Sequence, residues 1–391
     1  METTLGRICS FYSGTGFPVE YQGKKAGEYP FYKVGDISKN VVSGNVELKL
    51  CDNYIDWEDV KNIHGTIVPA GTIVFAKIGE AVKLNRRAIT SNDCLVDNNV
   101  IGVKPNIHLI TLQYCYHFLS TIKMEKYAES TTVPSVKKSV LEKIPIFLPS
   151  IEEQNAICSE LNKVSELISL RKKQLQKLDD LVKSRFVEMF AKHNERIVPL
   201  KTICIKGPQN GFYRKGAEIN GTIPIMKMKQ LFGNESMSEA HDCDLVALTK
   251  TELERFLLTQ NDLLFGRRSL VVEGAGKCRR VGRITTQAVF ESSMLRVTLD
   301  ATKVKPRYLQ IWFNSEEGKN AISSIRAVTT IAGIKGSDLA NVEVPVAPIA
   351  LQEEFLEFVG QCDRSKLTIQ KSLDKLELLK QSLMQTYFGD K

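Results

Sequence analysis

Several residue groupings could carry chemistry, and most dissolve on inspection. Asp36 followed by Glu47-x-Lys49 has the acidic, acidic, lysine order of a metal-dependent nuclease core, where carboxylates hold a divalent ion at the scissile phosphate. The E-x-K triplet is common by chance, and the second half of the chain has no counterpart, so no cleavage is assigned to it. Gly14-Thr15-Gly16-Phe17 matches part of a glycine-rich cofactor loop, but it lacks the third glycine and lies too near the start for a βαβ unit. His241-Asp242-Cys243 has no partner motif and reads as a polar loop. There is no Asn/Asp-Pro-Pro-aromatic motif of the kind that methylates an exocyclic base nitrogen, no P-loop and no H-E-x-x-H. What recurs is positive charge. Lys77, Lys83, Arg86 and Arg87 follow one apolar run; Arg267, Arg268, Lys277, Arg279, Arg280 and Arg283 follow another, interleaved with Gly274 and Gly276. Lys33 and Lys227 each sit in an apolar-lysine alternation after a proline, Pro30 and Pro224. Such cations reach phosphates or pair bidentately with guanine edges. A solvated hairpin face would look similar, and recurrence of the cluster favours the polyanion.

The elements that must position these cations are two long helices. Residues 149–190 read as one helix of roughly 40 residues, near 60 Å at about 1.5 Å per residue. Ser150 and Glu153 make a capping box, and no glycine or proline interrupts the helix beyond it. Apolar residues recur at steps of four and three: Ile157, Leu161, Val164, Ile168, Leu175, Leu178 and Val182, the period of a coiled-coil seam. A shift of 198 residues superposes this stretch on a second one: Gln154 falls on Gln352, Leu175 on Leu373, Phe190 on Phe388, and Thr131-Thr132-Val133 on Thr329-Thr330-Ile331. The second seam is Phe355, Val359, Cys362, Ile369, Leu373, Leu376 and Leu383. The chain of 391 residues is therefore a tandem duplication. Arg171, Arg185, Lys366 and Lys380 interrupt the seams, either to hold an antiparallel register or to snorkel at the edge. Leu167, Leu170, Leu181, Leu367 and Leu378 lie off the seam and are expected to be a docking surface.

Composition is that of a globular chain, with 43% hydrophobic and 25% charged residues. No run has transmembrane length and no leader pattern opens the chain; with nine scattered cysteines and no C-x-x-C, a reducing, cytoplasmic setting without disulfides or structural zinc is expected. The net charge of +8 is uneven: residues 1–149 hold 17 Lys+Arg against 15 Asp+Glu, whereas residues 191–347 hold 23 against 16. Residues 1–149 read as mixed α and β, with β-like runs at 30–34, 71–77, 99–104 and 143–148 and a helix over 109–126. Residues 191–347 repeat that layout weakly. Val74-Phe75 answers to Leu264-Phe265, Tyr114 to Tyr308 on the helix carrying Trp312, and the Gly14 turn to Asn210-Gly211-Phe212-Tyr213, a turn expected near the bound polyanion.

Two divergent heads, each followed by a long helix opening Pro149-Ser150-Ile151-Glu152-Glu153-Gln154 or Pro348-Ile349-Ala350-Leu351-Gln352, resemble the specificity subunit of type I restriction-modification systems. The resemblance covers essentially the whole chain. It implies an α+β fold: target recognition domains over 1–149 and 191–347, and spacer helices over 150–190 and 348–391 that pack antiparallel with pseudo-twofold symmetry. It further implies that each head binds half of a split, asymmetric sequence in double-stranded DNA and that the spacer sets the gap. Two methyltransferase (modification) subunits would dock on the spacer, with restriction (motor-nuclease) subunits outside them. The chain itself would hold no cofactor, metal or catalytic residue; S-adenosylmethionine, ATP and Mg would belong to its partners. The type IIB specificity subunits are the alternative within this resemblance, and a DNA-cleaving enzyme is the rival outside it. The second helix departs from the pattern where Ala350-Leu351 replaces Glu152-Glu153, a tolerable variation expected to alter one capping interaction.

Overall fold

A computed structural model describes residues 2–49, 51–129, 133–190, 196–218, 220–233, 236–237 and 243–389, with Ser236 and Met237 as backbone only. Thr131, Thr132, His241 and Asp242 lie outside the described residues. The chain divides into two compact units: Met1–Lys172 with Lys371–Lys391, and Lys173–Gln370.

In the first unit, Ile73–Ala76 is the centre of an antiparallel sheet ordered Cys9–Ser13, Val100–Pro105, Ile73–Ala76, Arg87–Ile89. The central strand Ile73–Ala76 is apolar at consecutive positions because both of its faces are covered. Ile73, Phe75, Ile89, Ile101 and Val103 face a core shared with Tyr114 and Leu119, while Val74, Ala88 and Val100 face a second core with Tyr32 and Ile37. A smaller sheet joins Tyr54–Ile55, Tyr29–Tyr32 and Leu95–Val96, and Glu2–Thr4 pairs with Pro145–Phe147. The helix expected over 109–126 is shorter. It spans Leu112–Thr121 and gives way to a separate turn of helix at Met124–Tyr127. The break is local: Thr111 caps the start by accepting from the Tyr114 N–H, the Thr121 hydroxyl takes the Phe118 carbonyl, and the Ile122 carbonyl accepts instead from Arg87. The strand expected to run on to Val34 ends at Tyr32, since Val34–Val42 is helical. Asp36 opens that helix by accepting from the Lys33 backbone N–H at 2.8 Å.

The second unit repeats these sheets, with a fifth strand in the main one and a short added pair, Arg268–Ser269 with Ala332–Gly333. Its main sheet runs Cys204–Asn210, Met294–Leu299, Asp262–Gly266, Cys278–Val281, Ser236–Met237. The smaller sheet is Asp244–Val246, Ile223–Met226, Val289–Phe290, and Arg196–Pro199 pairs with Glu343–Val346. Tyr308, Leu309 and Phe313 of helix Pro306–Asn314 bury against Leu263, Phe265 and Cys278.

The long helices span Ile151–Phe190 and Ile349–Phe388. The expected capping box is present: the Ser150 N–H and hydroxyl donate to Glu153 at 2.9 and 2.8 Å, and the Glu153 N–H donates back at 3.3 Å. Hydrogen bonds from Ser150 hold the Glu153 carboxyl below the usual range. The second helix lacks this box, and the Pro348 carbonyl takes the Leu351 and Gln352 N–H groups. Within the first unit the helical segments are antiparallel, since Glu160 accepts from the Tyr387 hydroxyl while Lys172 pairs with Glu377 at 2.9 Å. Within the second unit Lys366 pairs with Asp179 and Arg185 with Glu354, again antiparallel. Lys366 and Arg185 thus carry cross-helix ion pairs, which favours register over snorkelling.

Leu161, Val164, Val182, Phe355, Val359, Cys362 and Leu373 are buried as the seam requires. Ile157, Ile168, Leu175, Leu178, Ile369, Leu376 and Leu383 are half-buried. The seam is richer than its period suggested: Cys158, Phe186, Met189 and Phe190 are also buried, and Phe186 and Phe190 meet Phe355 edge-on at 5.5 and 5.4 Å. The off-seam Leu167, Leu170, Leu181, Leu367 and Leu378 are exposed, so none of them is buried under a head.

Two glutamines tie head to helix. Gln154 is fully buried; it accepts from the Thr111 N–H at 2.8 Å and donates to the Leu109 and Pro149 carbonyls at 3.1 and 3.0 Å. Gln352, equally buried, accepts from the Lys305 N–H at 2.8 Å and donates to the Lys303 and Ala347 carbonyls at 3.2 and 2.7 Å. In each unit one amide thereby fixes the loop before the head's main helix to the first turn of a long helix.

Candidate nucleic-acid interface

The glycine turns are close backbone approaches. A Cβ on Gly14 would lie 1.8 Å from the Asp97 carbonyl oxygen, and one on Gly211 would lie 2.1 Å from that of Glu291. Each turn hangs on a matching set of bonds: Gly14 and Thr15 N–H groups donate to Val100 and Val96, and Gly211 and Phe212 to Met294 and Phe290. The glycines are required by this close chain approach.

The short helices after these turns present the first expected cations. Lys33 donates to Gln22 at 2.5 Å and stands 5.2 Å over the Phe17 ring, beside the Gly14 turn. Lys227, in the same place in the second unit, pairs with Asp244 at 2.6 Å. Its hydrogen bond to that carboxylate raises the Lys227 ammonium above the ordinary lysine value and keeps it charged.

The strand ends place the rest. Lys77 is half-buried at the end of Ile73–Ala76, and Arg267 and Arg268 occupy the equivalent end of Asp262–Gly266. Arg267 donates to the Ser292 carbonyl at 3.1 Å, while Arg268 is exposed. Lys83 is exposed and pairs with Glu80 at 2.9 Å; Arg86 is half-buried.

Arg87 must be withdrawn from the interface. It is 3% exposed; its guanidinium donates to the Asn85 carbonyl and side chain and to the Ile122 carbonyl, and stacks at 5.4 Å over Phe75. Burial pushes it down to about 10, so it stays charged at neutral pH but serves the head's interior. The second cluster also divides. Arg280 stands opposite Leu263, and its N–H donates to Gln310 on helix Pro306–Asn314 at 3.0 Å. Arg279 stands opposite Leu264 and donates to the Gly233 carbonyl at 3.3 Å. Neighbours on a strand point to opposite faces. Arg280 therefore leaves the face that carries Arg279 and Lys277, whose Nζ is 4.9 Å from the Phe232 ring. Burial and the neighbouring Arg279 lower the Lys277 ammonium.

Sequence reasoning missed Lys137 and Lys335, exposed residues beside Lys77 and Arg267 across a cleft in their respective heads. Their signal was available, because both fall in the stretch that matches without a gap at the 198-residue offset. It also missed Arg296, buried on Gln209 and the Leu257 and Arg255 carbonyls. No metal-holding group of three His, Cys, Asp or Glu residues exists among the described residues. No described helix is long and apolar enough to cross a membrane.

Two units, each an α/β head with the same sheet plan tied to long antiparallel helical segments, define the class of protein. Two solved structures share the fold. The S subunit of a type I restriction-modification system from M. genitalium superposes with a TM-score of 0.53 at 13% identity, covering 100% of this chain and 96% of that one. A chain from a study of complex assembly and conformational transition in a type I system gives 0.60 at 16%, covering 99% and 97%. The model of the type I restriction modification DNA specificity domain matches residues 1–180. The MjaIX specificity subunit of Methanocaldococcus jannaschii is 22% identical over 367 residues, 85% of this chain and 80% of that protein. The EcoKI specificity subunit of Escherichia coli K12 is 22% identical over 290 residues, 68% of this chain; the match spans 61% of that protein's length. Residues 1–180 thus match the type I restriction modification DNA specificity domain, and the chain as a whole is similar to type I specificity subunits.

Proposed function

We propose that the chain is the DNA-reading subunit of a type I restriction-modification complex, acting in the cytoplasm. The observation that carries this reading is the duplication itself: two heads with the same sheets and divergent surfaces, each presenting cations at the same strand end. Each head, residues 1–149 and 191–347, would bind one half of a bipartite asymmetric target, and the helices over 150–190 and 348–391 would set the gap. Splitting the readout adds base contacts, and each good bidentate pair contributes about 1–3 kcal/mol of discrimination. The exposed Leu167, Leu170, Leu181, Leu367 and Leu378 would receive methyltransferase subunits, with restriction subunits beyond them. Catalysis, S-adenosylmethionine, ATP and Mg would reside on those partners.

The test is to express the chain with its methyltransferase subunits and map modified adenines across a genome. One split motif with a fixed gap supports the reading; modification without a motif rejects it. A second expectation concerns Arg267 and Arg268. Changing both to Gln should weaken DNA binding and reduce the slope of log affinity against log salt by about 1.8, at about 0.9 per phosphate contact. An unaltered slope in a binding titration would remove both from the DNA.

A further inference from the structure

A cleft stands at the same place in each head. In the first unit it has a volume of 510 Å³ and is lined by Ser13, Lys77, Ile78, Ser135, Lys137 and Lys138 among others. In the second it has a volume of 470 Å³, with Asn210, Arg267, Arg268, Thr329, Gly333 and Lys335 among its lining. The walls are built alike. The strand end bridges Ile78 to Ser135 in one head and Arg268 to Gly333 in the other. The Lys77 carbonyl accepts from the Val136 N–H at 2.8 Å, and the Arg267 carbonyl accepts from Ile334 at 3.0 Å. A second bridge lies beside the first in each head, Glu129 to Ser135 and Ala327 to Gly333. Just before this wall an apolar β-branched side chain stands out at matching positions, Val133 at 52% and Ile331 at 47% exposure.

The charge of the clefts is also shared. The first has three lysines and one carboxylate, Glu142, in its lining; the second has Arg267, Arg268 and Lys335 and no carboxylate. Lys137 pairs with Glu129 at 2.6 Å, but both side chains are more than 40% exposed, and a pair so placed exchanges readily for a stronger anion. Val133, Ser135 and Lys137 lie in the stretch that repeats without a gap, whereas the loops around them have diverged. Two heads that read different bases can share only contacts that ignore base identity, and in a duplex those are phosphate and sugar.

We propose that this cleft is a backbone clamp. In each head it holds one phosphodiester of the duplex, between Lys77 and Lys137 in the first and between Arg267, Arg268 and Lys335 in the second. Val133 or Ile331 lies against the adjoining sugar. The clamp sets the height at which the divergent loops meet the base edges. It rests on the DNA-reading function proposed above and adds residues and a ligand chemistry to it.

The test uses the full chain assembled with its methyltransferase subunits, titrated with its target duplex and a scrambled duplex over a salt series. Lys335→Gln should weaken both duplexes by the same factor and lower the salt slope by about 0.9. Lys335→Arg should restore the slope, and the methylated motif should not change. Lys137→Gln should behave likewise through the other head. A slope unchanged by either Gln variant, or a loss confined to the target duplex, overturns the clamp. A wild-type complex with no preference for its target overturns the DNA reading beneath it, a result distinguishable because it appears before any variant is made.

Discussion

Replacing residues 191–347 with the corresponding head of a similar specificity subunit is expected to change one half of the methylated motif completely and leave the other half intact. The expectation rests on separate cores. The second head packs its sheet against Tyr308, Leu309 and Phe313, while the first head's core is built from Leu5, Ile73, Phe75 and Tyr114. Each base pair misread typically costs about 1–3 kcal/mol, so the original half-site should lose recognition by orders of magnitude. The junctions must respect two anchors: the incoming head has to reproduce the strand paired as Arg196–Pro199 with Glu343–Val346, and a loop that can meet Gln352 as Lys303 and Lys305 do. Sequencing methylated DNA from cells carrying the chimera checks this. A motif altered in both halves, or in neither, would refute modular reading.

The second large effect is on stability. Gln352→Ala should destabilise the protein by about 3–5 kcal/mol, because it strands the buried Lys305 N–H and the Lys303 and Ala347 carbonyls, each unmet group costing about 1–3 kcal/mol with partial relief from relaxation. For a unit of this size that lowers the melting temperature by roughly 10 °C, at about 2–4 °C per kcal/mol. Gln154→Ala should do the same to the first unit through Thr111, Leu109 and Pro149. Gln352→Glu is informative as well: a carboxyl can still accept from Lys305 but cannot serve both carbonyls as a double donor, so it should not rescue. Differential scanning calorimetry of the three variants decides, and a change within about 0.5 kcal/mol, the range of ordinary surface substitutions, would deny the glutamines any anchoring role.

The two long helices were legible from spacing alone, because a seam repeating at four and three residues has one good conformational solution. The duplication was legible for the same reason that makes it informative: frame elements repeat where packing constrains them. The glycines at 14 and 211 were legible as turns, because the missing third glycine already spoke against a phosphate loop, and the Asp97 and Glu291 carbonyls supply the reason each turn needs glycine. The off-seam leucines were legible as outward residues because the seam fixes the helix face.

The sequence by itself therefore determined the class of fold, the twofold internal repeat and the positive bias of the strand-end loops. Tertiary structure alone decided which cations face outward. Arg86 and Arg87 are neighbours, yet Arg87 is claimed by a carbonyl that a broken helix releases 35 residues later. Arg279 and Arg280 are neighbours too, and strand alternation sends them to opposite faces of a sheet whose register no local pattern specifies. Lys137 and Lys335 gained meaning only when pairing across some 60 residues brought them to Lys77 and Arg267. Local periodicity encodes elements; the placement of a charge depends on hydrogen-bond partners far along the chain, and folding alone brings those together.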